Sequence, residues 1–132
     1  MKRFHLIFGF LLVIVFLLTG QYMDRFHNHL EGMADGPRML YRSRHIYILL
    51  TGLLHLGVGT YIVDRMHPKK RLVQLIGSLM LTIAPMLFLI AFFKEPLMSE
   101  LNNPFSQIGV YLVAAGVAFH LLSGINDANT KG

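Results

Sequence analysis

The chain contains no cysteine. Disulfides, thiolate catalysis and cysteine-ligated zinc or iron–sulfur centres are therefore excluded, and with them a four-helix thiol–quinone oxidoreductase. Acidic residues are scarce, seven Asp and Glu against twelve Lys and Arg. Charge is missing altogether from four windows, residues 4–23, 45–63, 72–93 and 101–126. With no carboxylate inside a window, paired-carboxylate catalysis within a membrane and Asp- or Glu-driven proton pumping lose their parts. Channel or carrier function likewise lacks charged residues to line a pore. No Gly-rich phosphate loop, Gly-x-Ser-x-Gly or His-Glu-x-x-His occurs, and there is no solenoid-length repeat or low-complexity tract.

What is present is apolar. Hydrophobic residues make up 54% of the 132 and charged residues 14%, a balance that suits a polytopic membrane protein and not a peripheral amphipathic one. A membrane helix needs about 20 apolar residues to cross roughly 30 Å of hydrocarbon, and each charge-free window has that length. The expectation is an all-α, integral-membrane, antiparallel four-helix bundle forming one membrane domain over residues 1–132. Its four transmembrane helices cover about residues 4–23, 45–63, 72–93 and 104–125, with a polar outer loop at 24–44. Met1-Lys2-Arg3 before an apolar run resembles a signal peptide. No small-x-small cleavage site stands near Thr19-Gly20-Gln21, so this segment reads as the first helix.

The net charge of +5 sits beside helix ends, where headgroups and topology account for it, and no nucleic-acid partner is expected. With the N-terminus inside, Lys2, Arg3, Arg65, Lys69, Lys70, Arg71 and Lys131 lie on the cytoplasmic side. Arg25, Arg38, Arg42, Arg44 and Lys94 lie outside. The positive-inside rule then predicts an N-in, C-in protein of a bacterial inner membrane.

Membrane helices associate through small residues and interhelical hydrogen bonds, and each window carries such a stripe. The first offers His5 and Gly9, then Thr19 and Gly20; the second aligns His45, Gly52 and Gly59 beside Thr51 and His55. The third aligns Gln74, Ser78, Thr82 and Pro85, ending in a kink, and the fourth aligns Gly109, Gly116 and His120 beside Ser123. These stripes predict an inward polar seam or an oligomer interface. Intramembrane ionisable residues are candidate sites. His55 and His120, each flanked by glycines that leave room for a macrocycle, are candidate axial ligands of haem b. Interhelical packing and a proton-relay role are the other readings of the pair. His5 and His67, beside basic residues at the inner interface, read as interfacial.

In the first loop, Met23, His27, His29 and Met33 form a symmetric set that His45 is near enough to join. Imidazole suits Cu(II) and zinc, and thioethers favour Cu(I), so these five residues are a candidate copper or zinc site. The competing reading is an interfacial loop whose Phe26, Leu30 and Met33 dip into lipid. Asp35-Gly36-Pro37 reads as a helix start, from which Arg38, Tyr41, Arg42 and His45 share one basic, aromatic face at headgroup level. Arg25-x-x-Asn28-x-x-Glu31 resembles the Arg/Asn/Glu pattern of the membrane-associated glutathione-using enzymes, four-helix proteins of about this length that form trimers. That resemblance implies glutathione binding by Arg25, Asn28 and Glu31, helped by Arg38 or Arg42. Here a stretch from Gly32 to Gly36, just before Pro37, separates the motif from the second helix.

These observations lead to an expected function in assembly rather than catalysis. The partners are the lipid bilayer and either further copies of the chain or other membrane subunits, with haem b or an outward copper or zinc ion as possible cofactors.

Overall fold

The computed structural model describes residues 1–98 and 103–125. Residues 101, 102 and 126 of the last charge-free window and Lys131 of the charge tally lie outside the described residues. Four long helices form: α1, Lys2–His27; α2, Asp35–Tyr61; α3, Pro68–Lys94; and α4, Pro104–Ile125. Short 3-10 turns follow α1 (Asn28–Leu30) and α3 (Glu95–Leu97). No strand occurs among the described residues.

Three of the four helices are long and apolar enough to cross a membrane: α1 with its 3-10 turn, α3 with its own, and α4. Their outer faces show why. On α1 the exposed residues include Phe4, Ile7, Phe10, Leu11, Ile14, Leu17 and Leu18, whereas His5, Gly9, Leu12 and Thr19 are buried. Apolar side chains outside and small or polar ones inside is the arrangement that hydrocarbon, and not water, selects. α2 is as long as α3, but Arg38, Arg42, Arg44, His45 and His55 dilute its apolar content.

Neighbours in sequence run antiparallel. Early α1 meets late α2 (Gly9 at Leu56, Leu6 at Gly59), and α3 meets α4 in reversed order, with Gly77 at Gly116 and Phe88 at Gly109. A Cβ added at Gly9 would lie 2.8 Å from the Leu56 backbone nitrogen, and one at Gly77 would lie 3.0 Å from the Gly116 carbonyl oxygen. The small-residue stripes are thus consumed within the chain, where they let backbones approach.

The first connection is shorter than the sequence suggests. Of residues 24–44, only 28–34 lie outside the α-helices. α2 starts at Asp35, which places Pro37 in the first turn, where its missing N–H would have no intrahelical partner anyway. The connection turns through Asn28, His29 and Leu30, all at positive φ (44°, 57° and 66°), followed by Gly32 at 73°. Left-handed backbone is costly for a bulky residue. Here it swings Leu30 into the core, 3% exposed, against a cluster that includes Tyr41, Ile48, Phe88 and Phe92. Leu30 therefore packs inward instead of dipping into lipid. Tyr41 also departs from the expected headgroup face, being 2% exposed with its ring edge-on to Phe92.

At the same end Arg44 and Glu95 form a buried ion pair, with Arg44 Nε donating to Glu95 Oε2 at 2.7 Å. Arg44 Nη2 donates to Ser106 Oγ, and Ser106 donates from its backbone N–H to Glu95 Oε1 and from its hydroxyl to Glu95 Oε2. One carboxylate thereby ties α2 to α4 and occupies the first turn of α4, where the helix dipole favours negative charge.

Candidate functional site

Two turns in from the opposite end, all four helices contribute to one polar cluster. His5 (α1) and His55 (α2) are fully buried, with their Nδ1 atoms 2.8 Å apart. His5 Nε2 lies 3.0 Å from Ser78 Oγ on α3, and Ser78 Oγ lies 3.2 Å from Nε2 of His120 on α4. The fourth contact is His55 Nε2 to the Leu81 carbonyl oxygen, 3.0 Å.

That last contact orders the rest, and Pro85 creates it. An α-helical carbonyl accepts from the N–H four residues on, and residue 85, lying inside α3, is a proline with no N–H. The Leu81 carbonyl is consequently free for His55. A carbonyl only accepts, so His55 Nε2 carries the proton and, in the neutral ring, His55 Nδ1 is an acceptor. His5 Nδ1 must then donate to it, which leaves His5 Nε2 to accept from the Ser78 hydroxyl. Ser78 in turn accepts from His120 Nε2–H. With neutral rings, every proton in the chain from His120 to Leu81 has one allowed position.

The arrangement recasts the sequence-level candidates. His55 and His120 do belong to one inward seam, but His5 and Ser78 stand between them, with the His5 ring centred 4.9 Å from that of His55 and 6.1 Å from that of His120. Both nitrogens of His55 are engaged. The glycines that would make room for a macrocycle face other helices: Gly52 meets Leu12, Gly59 meets Leu6, Gly116 meets Leu81 and Gly109 meets Phe88. The residues as placed do not fit a haem between His55 and His120. His5, read from sequence as interfacial, is central; its place with Gly9 on one stripe was the available signal. His67 is exposed.

The first-loop residues disperse. His29 is largely exposed and pairs with Asp24, Nε2 to Oδ1 at 2.6 Å. His27 lies between the rings of Tyr22 and Tyr41, its Nε2 buried without a hydrogen-bond partner among the described residues. His45 sits roughly two turns away along α1, stacked on Phe16 and bonded to Thr19. Thr19 Oγ1 gives its proton to the Phe16 carbonyl, so His45 Nδ1 is the donor in that 2.9 Å contact. Met23 and Met33 pack against the core cluster. Among the described residues no three His, Asp or Glu side chains are grouped so as to hold a metal ion. Of the glutathione-type motif, Arg25, Asn28 and Glu31 are all exposed, with Asn28 Nδ2 donating to Glu31 Oε2 at 3.4 Å.

Comparison with protein-family models, curated proteins and solved structures returned no match.

Proposed function

We propose that this is a four-span membrane protein whose bundle holds a histidine proton relay. The observation that carries the reading is the single-polarity hydrogen-bond chain His120–Ser78–His5–His55, closed by the carbonyl that Pro85 frees. A proton arriving at His120 Nδ1 is passed on by transfer from His120 Nε2 to Ser78, from Ser78 to His5 Nε2, and from His5 Nδ1 to His55 Nδ1. His120, Ser78 and His5 end neutral, and His55 ends as the imidazolium with Nε2–H still on Leu81. Because a peptide carbonyl does not pass a proton on, the chain acts as a reversible proton store and not as a through-channel.

Support for α2 as the fourth span comes from its pairing with α1. Gly52 and Gly59 face α1 residues, and His45 bonds to Thr19, so the two helices lie side by side over most of their length. The relay lies toward the end that carries Lys2, Arg3, Arg65, Lys69, Lys70 and Arg71, which the positive-inside rule assigns to the cytoplasm of a bacterial inner membrane. Assembly with further copies or subunits draws no support from the glycine stripes, which are used internally.

The test is histidine 15N NMR of the full chain in lipid nanodiscs. At neutral pH His5 is expected as the Nδ1–H tautomer, and His55 and His120 as Nε2–H. On acidification the three rings should respond together, as coupled sites do. Pro85→Ala restores an N–H aimed at the Leu81 carbonyl and is expected to shift the His55 Nε2 resonance. Three independent titrations, or a wild-type His5 in the Nε2–H form, would overturn the relay. Elemental analysis and the visible spectrum of the same sample address the rival cofactors. A blue-region band lost in His55→Ala means haem b, and copper or zinc lost in a His27→Ala, His29→Ala variant means a loop metal site.

A further inference from the structure

A groove of about 540 Å³ runs between α2 and α4 with α3 as its floor. Along α2 its lining extends from Leu50 to Tyr61, about 16 Å at the α-helical rise. That is the depth of one leaflet, roughly 15 Å or half of the hydrocarbon core. Leu53 and Leu54 on α2 and Val117 and Leu121 on α4 make the walls apolar, and at Gly57 an added Cβ would meet nothing within 4 Å. Three polar side chains of the lining are turned to the protein: Gln74 Nε2 donates to the Val63 carbonyl, His120 Nε2 faces Ser78 Oγ, and Ser123 Oγ donates to the His120 carbonyl. Among the described residues of the lining, Arg65 alone carries a permanent charge. It comes from the connection between α2 and α3 and reaches α4, where a Cβ added at Gly124 would lie 3.1 Å from Arg65 Nη2. The guanidinium therefore stands between the two helices that wall the groove, at its basic end.

We infer that this groove holds one acyl chain of an anionic phospholipid, with the phosphate on the Arg65 guanidinium and the second chain in the bilayer. Length and charge select that occupant. A tail as long as one leaflet is deep lies along the apolar walls from Leu50 toward Tyr61, which brings its head to Arg65. A guanidinium presents five donors in a planar fork that matches phosphate, so a contact with α4 and a phosphate are compatible. Around it stand Lys69, Lys70 and Arg71, with Asp64 the one carboxylate of the connection. A head of net negative charge is attracted there, whereas the ammonium of a zwitterionic lipid meets like charge. The inference takes from the proposed function only that α2 spans the bilayer, and it uses no part of the relay.

The test is native mass spectrometry of the full chain in mild detergent, with phosphatidylglycerol and phosphatidylcholine of matched chains titrated in. Phosphatidylglycerol is expected to fill one saturable site about tenfold more tightly than phosphatidylcholine, the factor that one hydrogen bond to a charged group supplies. Arg65→Gln should remove that preference and Arg65→Lys should keep part of it. Lys69→Gln, an exposed cation outside the lining, should leave most of it. Gly57→Leu, which fills open space, should weaken the lipid in a folded protein. Equal binding of the two lipids, equal losses in Arg65→Gln and Lys69→Gln, or unchanged binding in Gly57→Leu overturns the site. Because the chain has no cysteine, labelling Leu53→Cys in nanodiscs with a water-soluble maleimide tests the span separately, with Met66→Cys in the exposed connection as the reactive reference. Equal labelling of the two removes α2 as a span and the lipid site with it. A protected Leu53→Cys without lipid preference removes the groove alone.

Discussion

Glu95→Ala is expected to destabilise the bundle by about 3–5 kcal/mol, the cost of removing one partner from a buried ion pair. Glu95 is fully buried and accepts from Arg44 Nε, from the Ser106 hydroxyl and from the Ser106 backbone N–H. Its loss leaves the Arg44 guanidinium, whose side chain is 7% exposed, holding, among the described residues, the hydroxyls of Ser43 and Ser106. It also removes the acceptor from the first turn of α4. Replacing both members by apolar residues, Arg44→Met with Glu95→Leu, should recover much of the loss, because no charge is then stranded. Reversible unfolding of the full chain from mild detergent into denaturing detergent measures all three variants. A Glu95→Ala protein within about 0.5 kcal/mol of wild type, as expected of a surface site, would show that the pair is solvated and not structural.

Gly9→Leu carries the second large effect, about 3 kcal/mol, the upper part of the range for overpacking. The new Cβ alone would lie 2.8 Å from the Leu56 backbone nitrogen and 2.9 Å from the Gly52 carbonyl oxygen. Backbone cannot yield as a side-chain tip can, so α1 and α2 must separate. Since His5 is one turn from Gly9 and His55 one residue from Leu56, the same displacement should break the 2.8 Å His5–His55 contact. Loss of stability and loss of the His5 Nδ1–H signature are thus expected together. Gly57→Leu is the control, expected to unfold close to wild type because nothing lies within 4 Å of its Cβ position. Equal behaviour of the two variants would mean that helix propensity, and not interhelical distance, governs these glycines.

The two predictions mark different degrees of legibility in the chain. Gly9, Gly52 and Gly59 were readable as interface residues because small residues at helical spacing have few other uses in a long charge-free helix. Whether they served oligomerisation or this fold was not readable, since a stripe names a face and not its partner. Glu95 illustrates the opposite case. It stands one residue past α3, beside Lys94 and among loop residues, and looks solvent-exposed by every local measure. The return of α4 and the third turn of α2 enclose it. The spread of the Met23, His27, His29, Met33 and His45 set was hidden for a related reason. Three consecutive left-handed residues, 28–30, turn neighbouring side chains in different directions, and no composition rule expects that of Asn-His-Leu.

Charge-free windows, long apolar helices, and the separation of a basic end from a mixed-charge end were determined by the sequence alone. The reason is that excluding charge from hydrocarbon is a property of contiguous segments. Which polar groups meet was decided by tertiary structure, because that depends on the rotation and relative height of each helix. The charge-free windows paired His55 with His120 and left His5 at the interface, whereas packing brings all three into one hydrogen-bonded chain around Ser78. Pro85 stands between the two cases. Its missing N–H is written in the sequence, but that the freed Leu81 carbonyl should receive His55, and so set the direction of every proton in the cluster, follows only from the way α2 lies against α3.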